Sequence, residues 1–314
     1  MSRYDVVIIG GGPAGLATAT YAHQRGLSAL ALEAEVFGGQ LVNLYPTKPV
    51  DNFPAQPELA SRELARRLAD QASHFGAELR EHEPVEFVGY AGDVLQVRTS
   101  QDEIGAHAVV LALGMGRFAP RALGIAGERR YLGRGLTYRL PPRDEIAARR
   151  IVIVGGGDSA VDTALSLESL AEVTVVHRSG DLKAYGHSRE RLAATSVHVL
   201  RETEVVGLAG DDRLERVVLS VEGRERIALP VDLLLVSIGQ VPDLGGARTW
   251  EIPLDDCHVA VDSSMATRSP GIFAAGDLAS YPGKVRMIAT AVGEGSTVAA
   301  SVERFLMNGG LNAA

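Results

Sequence analysis

Thiols are what this chain has least of. Its 314 residues include one cysteine, Cys257, which excludes an intrachain disulfide and a Cys-x-x-Cys redox pair. Cys257 is read as a bystander near a turn. The eight His show no clustering with Cys or carboxylates at ligand spacing, so no metal site is expected. No apolar run approaches the roughly 18 residues of a membrane span. The first strand is expected from Tyr4, which leaves no room for a signal peptide. A cytoplasmic protein without membrane partners is therefore expected. The net charge is −8, so nonspecific nucleic-acid binding is not expected either.

What is present suits a soluble globular protein, with 46% hydrophobic and 22% charged residues. The length suggests two domains, each able to bury its own core. One stretch organises the rest: Asp5–Glu33, DVVIIGGGPAGLATATYAHQRGLSALALE. Val6–Ile9 is an unbroken apolar run, as in a strand buried on both faces of a parallel sheet. Gly10, Gly12 and Gly15 form G-x-G-x-x-G where that strand turns into a helix, Ala14–Arg25. The glycines serve a tight turn, close approach of a pyrophosphate and close helix–strand packing. The helix N-terminus, opened by Pro13-Ala14, directs free N–H groups at the phosphates. Leu27–Leu32 reads as the second strand and ends at Glu33, placed to accept hydrogen bonds from a ribose 2′-OH.

The same pattern returns at Ile151–Arg178, IVIVGGGDSAVDTALSLESLAEVTVVHR. Gly155, Gly157 and Ala160 give G-x-G-x-x-A, and the offset of 145 from Gly10 to Gly155 also separates Glu33 from Arg178. The chain therefore reads as a diverged internal duplication. Its two copies differ in sign at one position. A carboxylate at Glu33 suits a free 2′-OH, as in FAD or NAD. His177-Arg178 suits a 2′-phosphate, which a guanidinium can grip through two parallel hydrogen bonds. The first copy is expected to hold the former and the second NADPH, with Lys183 as a further cation.

Between these units, Val36–Pro57 reads as a long ordered loop of the kind that carries function, followed by a helix at Ser61–Phe75. Strands are expected at Val85–Val88, Val94–Thr99 and His107–Leu113 in the first half. In the second they are expected at Val197–Val206, Leu214–Val221, Arg224–Leu229 and Leu233–Ile238. Ser269–Asp277 (SPGIFAAGD) reads as a strand returning to the first domain. Asp277 is placed either to bond a ribityl hydroxyl or to cap a helix. A helix is expected over Val285–Met307 with Lys284 at its start, its dipole able to stabilise a reduced flavin. Arg117–Arg150 carries nine Arg against three acids; it reads either as a solvated surface or as a docking face for an acidic protein.

GGGPAG, GGQL, GGGDSAVD, HR, AAGD and KVRMIATAVGEG occur in this order. With them the chain resembles the thioredoxin-reductase-like flavoproteins over nearly its whole length. GGQLVNLYPTKPV, HRSGDLKAYGHS and Y-x-GKV bring it nearest the ferredoxin(flavodoxin)–NADP reductase branch. The resemblance implies an α/β fold of two Rossmann-like (FAD/NAD(P)-binding, ββα three-layer) domains, the second inserted into the first. The expected boundaries are 1–115 and 242–314 for FAD and 116–241 for NADPH. It implies that Gly39, Gln40, Leu41, Tyr45, Val85, Gly114, Phe118, Asp277, Lys284 and Ile288 line the FAD, with Tyr45 stacking on the ring. Gly157, Asp158 and Ser159 would hold the NADPH pyrophosphate. It also implies a homodimer that passes electrons from NADPH through FAD to ferredoxin or flavodoxin. No residue is expected to be catalytic, because the flavin carries the chemistry. The chain departs from thioredoxin reductases in having no Cys-x-x-Cys before the second glycine motif. It has Ala14 where related bacillithiol-disulfide reductases have Cys, and Ser179 where a second Arg is usual. The alternatives are an NADPH diaphorase or oxidase acting on quinone or oxygen, and a flavin-bound redox sensor.

Overall fold

The computed structural model describes residues 2–313 except 45, 47, 48, 57, 143, 144, 253 and 256; for 117–119 and 242 it describes the backbone alone. The chain divides into two compact units, Met1–Arg117 with Pro242–Ala314, and Phe118–Val241. The elements that build the sites are numbered in chain order.

In the first unit, β1 (Ser2–Ile9) runs into α1 (Pro13–Gln24) and β2 (Ala29–Leu32). α2 (Ser61–His74) leads to β3 (Glu78–Arg80), and β4 (Val85–Ala91), β5 (Val94–Thr99) and β6 (Glu103–Leu111) follow. The sheet order is β3-β2-β1-β6-β5-β4. β1 pairs parallel with β2 and β6, and β4–β5–β6 is an antiparallel meander. Alternation along the inner strands fills two cores. Val7, Ile9, Leu30, Leu32, Val109 and Leu111 pack with the meander and Trp250, whereas Val6, Ile8, Ala29, Ala31, Ala108 and Val110 pack under α1. This explains the unbroken apolar runs: a parallel strand covered on both faces has no solvent side on which to place polar residues.

The second unit repeats the plan. β7 (Leu136–Thr137), β8 (Arg150–Val154), α3 (Asp158–Leu167) and β9 (Glu172–Val176) come first. Next are α4 (Gly186–Ala193), β10 (His198–Leu200), β11 (Thr203–Ala209), β12 (Arg216–Val221), β13 (Glu225–Pro230) and β14 (Leu233–Val236). The parallel sheet runs β7-β14-β8-β9-β10, and β11-β12-β13 is a separate meander. Ile151, Ile153, Val173 and Val175 face α3; Val152, Val154 and Val176 face the meander. The single strand expected at Val197–Val206 is two strands in different sheets. The chain breaks at Arg201-Glu202, with Glu202 at φ +50°.

Returning to the first unit, β15 (Ile272–Ala274) joins the sheet beside β6, and α5 (Ile288–Met307) lies on α1. A Cβ at Gly295 of α5 would stand 2.6 Å from the Ala14 carbonyl oxygen, so the crossing depends on that missing side chain. α5 begins three residues later than expected, with Met287 as its N-cap. Among the described residues, no helix is long and apolar enough to cross a membrane.

Candidate cofactor sites

The glycine turns of the two units share their constraints at the first and second glycines. Gly10 has φ +109° and Gly155 φ +150°, and a Cβ at either would strike a carbonyl oxygen, that of Ala112 or Ser237. Gly12 and Gly157 are the N-caps of α1 and α3. Neither helix start has a side-chain cap, and a Cβ at either glycine would meet nothing within 4 Å. Open space above uncapped N–H groups at the positive end of a helix fits a pyrophosphate. Gly15 packs so tightly that a Cβ would collide with the Gly10 carbonyl oxygen; Ala160 occupies the equivalent position in the second unit.

Glu33, just beyond β2, accepts the Gly11 N–H at 2.7 Å through Oε2 and the Glu35 N–H at 2.9 Å through Oε1. Each oxygen keeps a further lone pair, so the carboxylate braces the glycine turn and can still accept from a hydroxyl. Glu33 also receives the Glu83 N–H on its backbone carbonyl, which brings the segment entering β4 at Val85 alongside.

Three distant pieces of chain converge on the Gly12 turn. A Cβ at Gly39 would stand 3.1 Å from the Gly12 Cα. Gln40 donates from Nε2 to Asp277 Oδ2 at 3.0 Å, and Gly114 faces the same amide. Gly276, directly before Asp277, lies against Ala14. The expected FAD residues Gly12, Ala14, Gly39, Gln40, Gly114 and Asp277 are thus brought together. Leu41 is buried with Leu64, and Ile288 packs on that cluster. Tyr45 and the side chain of Phe118 lie outside the described residues. Lys284 is not at the start of α5. Its ammonium is buried against Glu294 and the Gly276 carbonyl oxygen. Glu294 escaped the sequence reading; its only trace is one acid set among small residues in AVGEGS.

In the second unit His177 is buried. Its ring lies where a Gly156 side chain would go, and its Nε2 is 3.0 Å from the Asp181 carbonyl oxygen. It shapes the turn as packing. Asp158, in the first turn of α3, accepts the Tyr185 N–H through Oδ1 at 2.8 Å. The loop carrying Arg178 and Lys183 is thereby tied to the start of α3, and the Lys183 N–H donates to the Gly156 carbonyl at 2.7 Å. Arg178 and Lys183 are both exposed. Arg178 lines a surface hollow of about 330 Å³ with Arg224, Ser220, Glu202, Glu204 and Glu222. Further off, Glu128 accepts from Tyr138 and from the Leu123 and Gly124 N–H groups. Burial pushes its carboxyl up, but these hydrogen bonds outweigh burial and hold it below the usual range.

Two turns of this geometry in one chain accord with a family match. The model of the Pyridine nucleotide-disulphide oxidoreductase family matches residues 4–295. The chain belongs to this family. Among its relatives, Ferredoxin–NADP reductase 2 of Bacillus subtilis (strain 168) is 37% identical over 307 residues, covering 96% of this chain and 92% of that protein. Ferredoxin–NADP reductase of Salinispora arenicola (strain CNS-205) is 38% identical over 300 residues, covering 95% and 92%. Among solved structures, thioredoxin reductase of Lactococcus lactis aligns with a TM-score of 0.86 at 30% identity, over 97% of this chain and 99% of that one. Within the family, this chain has one cysteine, buried Cys257. A dithiol relay needs two, so the family's disulfide chemistry cannot run within this chain.

Proposed function

We propose that this chain is a ferredoxin–NADP reductase, an FAD-dependent oxidoreductase that moves electrons between NADPH and a one-electron protein carrier. The observation that carries the reading is the pair of glycine turns, with Glu33 bonded to the first and Arg178 exposed just past the strand that follows the second, in a chain with no dithiol. The names of its relatives from Bacillus and Salinispora support the same carrier. Bound FAD would supply the conversion between the two-electron chemistry of NADPH and one-electron transfer to the carrier.

The protein's residues do the holding. Gly12 and the start of α1 receive the FAD pyrophosphate, Glu33 the adenosine ribose, and Asp277 with Gln40 the ribityl chain. Gly157 and the start of α3 receive the NADPH pyrophosphate, and Arg178 and Lys183 the 2′-phosphate. The working form is a cytoplasmic homodimer. Ferredoxin-dependent reduction of cytochrome c by NADPH tests the carrier. Stimulation by added ferredoxin or flavodoxin, weakening as salt rises, is expected. Rapid NADPH oxidation in air that no carrier accelerates would favour quinone or oxygen as acceptor.

A further inference from the structure

Glu294 gathers a closed set of polar groups inside the first unit. Its Oε2 accepts the Gly276 N–H at 2.7 Å, and its Oε1 accepts the Tyr281 hydroxyl at 2.6 Å and the Lys284 ammonium. Lys284 Nζ also donates to the Gly276 carbonyl at 2.9 Å. The Lys284 and Glu294 side chains are 8% and 5% exposed. Both main-chain polar groups of Gly276 are thus held by side chains from outside the Gly276–Leu278 turn. The next residue is Asp277, whose carboxylate accepts from Gln40.

We propose that Glu294 is a positioning residue for FAD, acting through Gly276 to aim the Asp277 carboxylate. The proposal rests on Asp277 contacting the bound cofactor. A buried ion pair adds little net stability over apolar residues of similar size, so stability alone does not explain this one. What the set does supply is direction, since every hydrogen bond in it ends on Glu294 or Gly276. Burial and the bond to Glu294 push the Tyr281 hydroxyl up to about 12, so it remains a donor across the working pH range.

A double-mutant cycle on the apoprotein separates positioning from simple support. FAD dissociation constants are measured by flavin fluorescence for wild type, Asp277→Ala, Glu294→Gln and the double variant, with 2′,5′-ADP binding as a check on the second unit. Asp277→Ala is expected to weaken FAD roughly tenfold or more, from the loss of charged hydrogen bonds. Glu294→Gln should weaken it by a comparable factor, and the double variant should be within about twofold of Asp277→Ala. Losses that multiply would overturn the positioning role. An unchanged FAD affinity in Asp277→Ala would instead remove the Asp277 contact on which the proposal rests. Should Glu294→Gln fail to fold, Tyr281→Phe removes one hydrogen bond without exposing a charge. It should weaken FAD about threefold in the wild-type background and not at all with Asp277→Ala. Equal loss in both backgrounds would overturn the proposal.

Discussion

Glu33 and Arg178 stand at one position in two copies of the same cradle. Each comes just after the strand that follows its glycine turn and helix, and that turn bars a side chain at its first glycine and leaves space at its second. One is a carboxylate bonded to the turn itself, and the other is an exposed guanidinium. A 2′-phosphate is repelled by the first and attracted by the second.

Arg178→Ala should therefore lower the ratio of kcat/KM for NADPH to that for NADH by roughly 10–100-fold, the worth of charged hydrogen bonds to a phosphate. Bound FAD should be unaffected. Three carboxylates share the hollow with Arg178, so Glu222→Gln should shift the ratio the other way. Steady-state kinetics with both coenzymes checks the pair of results.

Glu33→Gln keeps one acceptor oxygen and loses the charge. The expected result is FAD binding weakened roughly tenfold with 2′,5′-ADP binding unchanged. Titration of the apoprotein with each nucleotide measures both.

The two open glycines allow a test of ligand space apart from folding. Ser is a favourable N-cap, so Gly12→Ser and Gly157→Ser should leave the apoprotein Tm nearly unchanged. The first should abolish FAD binding and the second NADPH binding, because the new side chain fills the space above the helix start. Gly15→Ala should instead destabilise the fold by about 1–3 kcal/mol, since its Cβ meets the Gly10 carbonyl. Thermal unfolding paired with nucleotide titration distinguishes the two classes.

Much of this was legible in the sequence for a local reason. The glycine turns and the strands around them are set by backbone sterics over about 30 residues. What depends on distant chain was not legible. Lys284 reads as a helix-start cation until the fold places Glu294 and the Gly276 carbonyl around it. His177 reads from the sequence as a coenzyme contact, and nothing local tells that its ring is buried against Gly156. Val197–Val206 reads as one strand because β-branched residues recur on both sides of Arg201-Glu202. Only the meeting of two sheets, at a residue with positive φ, separates them.

Asp232 should govern part of the acid stability of the second unit. It accepts from the Arg150 guanidinium at 2.7 and 3.0 Å and from the Arg150 N–H at 2.9 Å, and the guanidinium bonds hold its carboxyl at about 2. Because the folded value is depressed, its stabilisation is complete above the unfolded value near 4 and is lost as pH falls toward 2. Asp232→Asn should flatten the dependence of urea midpoint on pH across that window and leave the curve above pH 5 parallel to wild type.

The central claim is that this chain holds FAD in one cradle and draws electrons from NADPH in the other. Anaerobic titration of the FAD-loaded protein with NADPH, followed at 450 nm, tests it most directly. Complete bleaching of one flavin per chain by about one equivalent of NADPH is the result predicted. A protein that stays colourless when supplied with FAD, or a flavin that NADPH does not bleach, would contradict it.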